Sequence, residues 1–485
     1  MGRRYKTQVN SVLQARQKSA ACPEGVRLTP TDLAPFLSIR SGRLHVEDCD
    51  AVDLAREFGT PVFVISETHL RRGLRRYQRA FEECWGEGSV RIMPSFKACP
   101  IVAVRKLLTQ EGAGCDCFGP GEIEGALRGG VLARDISVNG SIKDETLIER
   151  AIDIGARIVL DSPRELELCE QVAARLGKKA FVMLRMKPYM ASVHEPSDFY
   201  PVREIRDMTQ TIKYGIPNSD LLPMGRRSLE LAHVVPVGVH MHLGRHSKKL
   251  EVWQALIGEY VALLARLREA MDGWTPSEVD FGGGFAAAAD RETRVAVTNY
   301  PTPPIEAYAK AMTSAFREAM AGHGIPTEGI QIEVEPGRGL HNEAGIHLTT
   351  VRNIKRELEH IEWAWAEVDT SEVFLSIGSL NEEPPFDWLV ANKADSAPVG
   401  RFDVVGLTCN YDCLYEQVEA PQLEEGDVLA LLNTGSYIEP MAANFNALPR
   451  PGTVLVNGSE ADLVKRHETV DEVFQRDEVP TRLRS

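Results

Sequence analysis

The chain has 485 residues, 43% of them hydrophobic and 26% charged, and 69 acidic against 55 basic side chains leave a net charge of −14. This is the profile of a globular protein with room for two or three domains, or for one large barrel and a smaller partner. The acidic excess opposes nucleic acid or an anionic membrane as the main partner, because both repel it at long range.

The first residues, MGRRYKTQVNSVLQARQKS, are basic but lack the apolar core of a signal peptide. Gly2 suits myristoylation, yet Lys6 stands where Ser or Thr is needed. No apolar run reaches the length of a membrane span. The nine cysteines are scattered, and neither Cys115 and Cys117 nor Cys409 and Cys413 have zinc-ribbon spacing. The expectation is a cytoplasmic protein with reduced thiols.

Along the chain, RSGRLHVEDC and TPVFVIS read as early strands. Then short β-like runs alternate with longer helical ones: VRIMPSF, GCDCF, DISVNG, RIVLD, KAFVMLRM, VGVHMHLG, EVDFGGG and IQIEVEPG. Between them, KDETLIERAIDIG opens on acids and stops at Gly155, as helices do. In KLEVWQALIGEYVALLARLREAM, residues Leu250, Trp253, Ile257, Tyr260, Leu264 and Leu267 recur at helical spacing. Eight strands alternating with helices between 90 and 337 predict a (β/α)8 barrel, a TIM barrel. Beyond it, RFDVVGLTC, DVLALLNTG and GTVLVNG are β-like pieces separated by Pro and Gly. The expected layout is an extension at 1–40, a mainly β domain from 41–67 and 341–485, and the barrel at 68–340.

A barrel of this type carries its chemistry at the C-terminal ends of its strands. Lys97 follows strand one, Asp116 lies in strand two and Arg185 sits near the end of strand five. His242 closes strand six, Gly282, Gly283 and Gly284 follow strand seven, and Glu335, Gly337 and Arg338 follow strand eight. Lys97 has two readings: an ammonium that reaches water from a strand tip, or a partly desolvated amine able to form a Schiff base. The glycine triplet is either a tight turn or a turn whose N–H groups close on a phosphate. Surface charges would not collect on one rim so consistently, which favours an aldehyde cofactor with a phosphate handle.

At this point PSFKACP, GCDCFGPGEIEGAL, IKYGIP, VHMHLG, VDFGGGFA, EPGRGL and VVGLTC, in this order, resemble the fold-type III pyridoxal-phosphate decarboxylases. The diaminopimelate decarboxylases are most similar, ahead of the ornithine and arginine enzymes. The resemblance implies an alanine-racemase-like barrel with a β domain, pyridoxal 5'-phosphate as cofactor, an amino-acid substrate, and a homodimer with shared active sites. It implies that Lys97 is the Schiff-base lysine, that His242 stacks on the cofactor ring, and that Gly283, Gly284 and Tyr437 bind its phosphate. Glu335 would meet the pyridine nitrogen, keeping the ring a strong electron sink so that the carbanion left by decarboxylation is delocalised as a quinonoid. Gly337, Arg338, Asp116 and Arg185 would lie near the cofactor, although for Asp116 and Arg185 a solvated ion pair is the rival reading. Cys409 would return a proton to the carbon that lost its carboxylate, acting from the partner subunit.

The recognition residues depart from this pattern. Diaminopimelate decarboxylases follow the cysteine with a glutamate; here Asn410, Tyr411 and Asp412 follow Cys409. With Arg338 and Tyr437 they are the candidate substrate contacts. The segment SIGSLNEEPPFDW has no arginine where that group grips a distal carboxylate, and Arg245 replaces a serine in HLGRH. The expectation is a decarboxylase of an amino acid or derivative other than meso-diaminopimelate. The alternatives are a racemase, epimerase or aldol-type enzyme on the same cofactor, an inactive regulatory relative, and a metal hydrolase built on His240, His242 and His246.

Overall fold

The computed structural model describes residues 33–194, 204–244, 247–287, 301–375 and 386–484. The chain divides into two compact units, one spanning His69–Glu343 and the other formed by the segments up to Thr68 and from Ala344 onward.

The first unit holds the eight parallel strands. They are β1 Val90–Ile92, β2 Cys115–Cys117, β3 Ile136–Val138, β4 Arg157–Leu160, β5 Ala180–Arg185, β6 Val234–His240, β7 Glu278–Asp280 and β8 Gln331–Val334. Their order around the sheet is β1-β8-β7-β6-β5-β4-β3-β2. The two ends meet through a parallel bridge between Ser95 and Asp116 and a 3.0 Å bond from Gly114 N–H to the Ile92 carbonyl. The barrel is therefore nearly closed, as the alternation of elements predicts. Amphipathic helices follow the strands; Leu250–Ala270 buries Trp253, Ile257, Tyr260, Leu264 and Leu267 on one face. Asp144 caps Glu145–Ile154 by accepting from Leu147 N–H, and Gly155 ends it in the left-handed region at φ 81°.

Strand register fixes what points inward, because paired residues share a face. Arg185, His240, Asp280 and Glu333 form one row across β5, β6, β7 and β8. Ser95, Asp116, Ser137 and Arg157 form another across β1 to β4. Arg157 pairs with Glu278 and Glu333 from strands on the opposite side of the ring, so this face is the lumen. Along the strands the inward set continues two residues on to Asn139 and Glu335, and four residues beyond Arg157 to Asp161. Each strand end thus delivers one polar side chain to the same mouth.

The second unit is mainly β. Val62–Ser66 sits between Gly345–Glu357, antiparallel, and Gly452–Asn457, parallel, so a strand from before the barrel completes a sheet made after it. Its core includes Val62, Val64, Ile346, Leu348, Ala430 and Val454. The early segment read as one strand is a hairpin: Leu37–Arg40 pairs with Arg43–Val46 around Ser41 and Gly42, which take φ of 49° and 76°. Pairing therefore begins inside the stretch assigned to the N-terminal extension.

Candidate active site

β1 is shorter than its sequence suggests. It stops at Ile92, and Lys97 lies on a single 3-10 turn, Phe96–Ala98, rather than directly on a strand tip. The turn carries the amine back over the lumen. Lys97 Nζ donates to Asp116 Oδ2 at 2.7 Å and to Ser95 Oγ at 3.2 Å. Ser95 Oγ donates to the same carboxylate oxygen at 2.6 Å. Asp116 is 1% exposed, whereas the Lys97 side chain keeps 38%, so the amine is paired yet open to a ligand. Burial raises the Asp116 carboxyl, but the Lys97 charge and the bonds from Lys97, Ser95 and Asn139 outweigh it and bring it down to about 2. The rival reading of a solvated ion pair at Asp116 and Arg185 is not what forms among the described residues: Asp116 is buried and pairs with Lys97 instead.

Asn139, at the end of β3, joins this pair to the far side of the mouth. Its Nδ2 donates to Asp116 Oδ1 at 2.7 Å and also to Glu335 Oε1. Glu335 is 2% exposed. Burial, then the negative charge of Asp116, raises its carboxyl to about 8 against the pull of Lys97, Arg185 and the Asn139 bond. His240 Nε2 lies 3.3 Å from Glu335 Oε1 but is not aligned for a hydrogen bond. Asp280 Oδ1 accepts from Gly282 N–H at 2.7 Å, and burial pushes its carboxyl up.

His242 lies two residues beyond the end of β6 instead of closing it. Its Nδ1 accepts from Gly244 N–H at 2.8 Å, which requires a lone pair there. Burial and the cations of Arg185 and Lys97 hold the ring well below its usual pKa, so it is a flat, neutral imidazole. Gly282 takes φ of 67°. A Cβ on Gly283 would stand 2.5 Å from the Glu335 carbonyl oxygen and 3.2 Å from His242 Nε2. Only glycine fits between those two groups. Gly284 follows at φ 117°, Gly337 begins the short helix Arg338–His341, and Arg338 lies half-buried on it. Arg185 is buried with its guanidinium carbon 5.0 Å from the Tyr214 ring centroid.

The second unit carries the other candidates. Cys409 is exposed; its N–H donates to Asn446 Oδ1 at 3.0 Å, and Asn446 Nδ2 points back at its sulfur at 3.4 Å. Asn410 Nδ2 donates to Glu372 Oε1 at 3.1 Å, and Tyr411 is exposed. Asp412 is buried at φ 47°. Its oxygens accept from Glu372 N–H and from the N–H and hydroxyl of Thr408, so it braces the loop instead of facing a substrate. Tyr437 holds a left-handed φ of 61°, a conformation that bulky residues adopt where surrounding structure enforces it.

Arg245, His246 and residues 376–385 lie outside the described residues. Among the described residues, which do not include His246, the acidic or nitrogen donors close enough to hold one metal ion are His240, Asp280 and Glu335. Ser95, Asn139 and Asp280 are not among the residues that the sequence singles out; Ser95 and Asp280 stand two residues before Lys97 and Gly282, whereas Asn139 is placed by strand register, two residues beyond inward Ser137.

The mouth therefore offers a reachable amine, a buried carboxylate, a neutral flat ring and a glycine-only turn. A planar nitrogen heterocycle with an aldehyde and an anionic tail fits that set. The family model described as pyridoxal-dependent decarboxylase, pyridoxal binding domain, matches residues 67–342. The diaminopimelate decarboxylase of Methanothermobacter thermautotrophicus is 29% identical over 444 residues, 91% of this chain and 97% of the relative. That of Archaeoglobus fulgidus is 28% identical, covering 92% and 99%. The crystal structure of the M. jannaschii diaminopimelate decarboxylase superposes with a TM-score of 0.80 at 26% identity, covering 92% of this chain and 99% of that one. A lysine/ornithine decarboxylase from Vibrio vulnificus shares the fold, with a TM-score of 0.64 at 19% identity over 84% of this chain and 98% of that one.

Proposed function

Because the chain belongs to the pyridoxal-dependent decarboxylases, and is thus an amino-acid decarboxylase using pyridoxal 5'-phosphate, we propose that its substrate is an amino acid or derivative other than meso-diaminopimelate. When bound, the cofactor supplies a ring that takes up the electron pair released with carbon dioxide. Lys97 would hold the cofactor through its aldehyde. Glu335 would keep a proton on the ring nitrogen, His242 would pack against the ring, and the Gly283–Gly284 turn with Tyr437 would hold the phosphate. Gly337 and Arg338 complete the cofactor seat. Cys409, from a second copy of the chain, protonates the carbon that lost its carboxylate, with its sulfur oriented by Asn446.

The observation that carries the substrate reading is Asn410. A neutral amide follows Cys409 where a distal ammonium would need an acid, and the amide is occupied by Glu372. The arginine-free stretch at 376–388 removes the partner of a distal carboxylate. A missing charge-assisted contact in a buried site costs about 1.5–3 kcal/mol, so losing two strongly disfavours a substrate with a second zwitterionic end. The relatives' names favour the other reading, diaminopimelate itself. Carbon dioxide release from meso-diaminopimelate, measured beside a panel of other amino acids, decides between them. The expected result is release from a panel member and little from meso-diaminopimelate; lysine formation at ordinary enzymatic rates overturns the proposal.

A further inference from the structure

Asn139 is neutral and belongs to no motif, yet its side chain touches both Asp116 and Glu335. A primary amide has two N–H groups on one nitrogen, and here one goes to Asp116 Oδ1 and the other to Glu335 Oε1. The result is a continuous chain from Lys97 through Asp116 and Asn139 to Glu335. An N–H can only donate, so it favours the ionised form of each acid it meets. Glu335 Oε2 makes no hydrogen bond among the described residues, so the amide also decides which oxygen is left over.

We propose that Asn139 is a positioning residue that occupies Oε1 of Glu335, biases that carboxyl toward its ionised form and leaves Oε2 to face the cofactor's ring nitrogen. Other groups act on Glu335 from every side. Asp116 from β2 and Asp280 from β7 oppose ionisation, Lys97 and Arg185 favour it, and His240 from β6 stands neutral beside it. With burial and Asp116 already raising this acid, losing the Asn139 bond tips it toward the neutral form. A neutral acid holds a protonated ring nitrogen less well. The inference rests on the cofactor and not on the identity of the substrate.

The test is the protonation state of the bound cofactor, read from the nitrogen-15 chemical shift of ring-labelled pyridoxal phosphate in the holoenzyme across pH. Asn139→Leu keeps the size and removes both donors; Asn139→Ser, whose hydroxyl serves one acid only, replaces it if the leucine variant does not fold. The expected result is a ring nitrogen that stays protonated to higher pH in the native enzyme than in either variant. Turnover should fall about 10- to 100-fold, as for other groups that orient a site residue from behind. A folded, cofactor-loaded variant whose ring nitrogen titrates as in the native enzyme overturns the inference. Native protein that releases no carbon dioxide from any amino acid would instead overturn the proposed function, so the two failures are distinct.

Discussion

Glu335 gives the site its most direct pH signature. In the unfolded chain a glutamate titrates near 4.3, whereas in the folded, cofactor-free protein this one is raised to about 8. The folded state therefore binds a proton that the unfolded state has lost between those values. Stability from this group is fully present at low pH, falls as pH rises, and levels off above about 8, with a slope of at most about 1.4 kcal/mol per pH unit. His240 and His242, held neutral by burial, act in the opposite sense below about 6.5, so the window for Glu335 is about 6.5 to 8, where Asp280, also pushed up by burial, acts in the same sense and is common to the native protein and the variant. Across it, the unfolding free energy of cofactor-free native protein is expected to decline relative to Glu335→Gln, measured by denaturant titration at each pH. Parallel curves for the two proteins would show that this carboxyl is ionised throughout.

At the scale of elements, the approach to Asn139 is held by a buried ion pair. Lys143 and Glu165 are both nearly inaccessible; Lys143 Nζ donates to Glu165 Oε2 at 3.0 Å and to the Gly140 carbonyl. Glu165 also accepts from Asp161 N–H at 2.8 Å and Lys143 N–H at 3.2 Å, tying the loop after β3 to the end of β4. Removing one partner leaves an uncompensated charge, so Lys143→Ala should cost about 3–5 kcal/mol, while a double replacement by apolar residues of like volume should recover much of it. Calorimetric Tm values of the three proteins check this; equal loss in the single and double variants would refute it. The eight strands and most rim residues could be read from sequence because alternation and strand-end charges are local signals. What could not be read depends on register. Asn139 and Ser95 carry no charge and become visible only when Ser95 bridges Asp116 and the inward parity is set. Asp412 looked like a substrate contact because it follows Cys409, but its left-handed turn points the carboxylate back into its own loop. Asp161 is inward and buried with both carboxylate oxygens lacking a hydrogen-bond partner among the described residues, which no local pattern announces.

At the scale of the whole molecule, the two named reactive groups belong to different units: Lys97 to the barrel and Cys409 to the β unit. If Cys409 serves a second copy, Lys97→Ala and Cys409→Ala damage the same site only when they come from different chains. Co-expression with two affinity tags and sequential purification isolates the mixed dimer. One of its two sites then combines an intact Lys97 with an intact Cys409, while the other lacks both. By the two-fold logic of such an assembly the mixed dimer should recover about half of native activity per dimer, although each parent variant alone is nearly inactive. If Cys409 served its own chain, every site in the mixed dimer would lack one group and no activity would return. A purified mixed dimer as inactive as its parents would therefore exclude the shared site, and a mixture that yields only monomers would exclude the dimer itself.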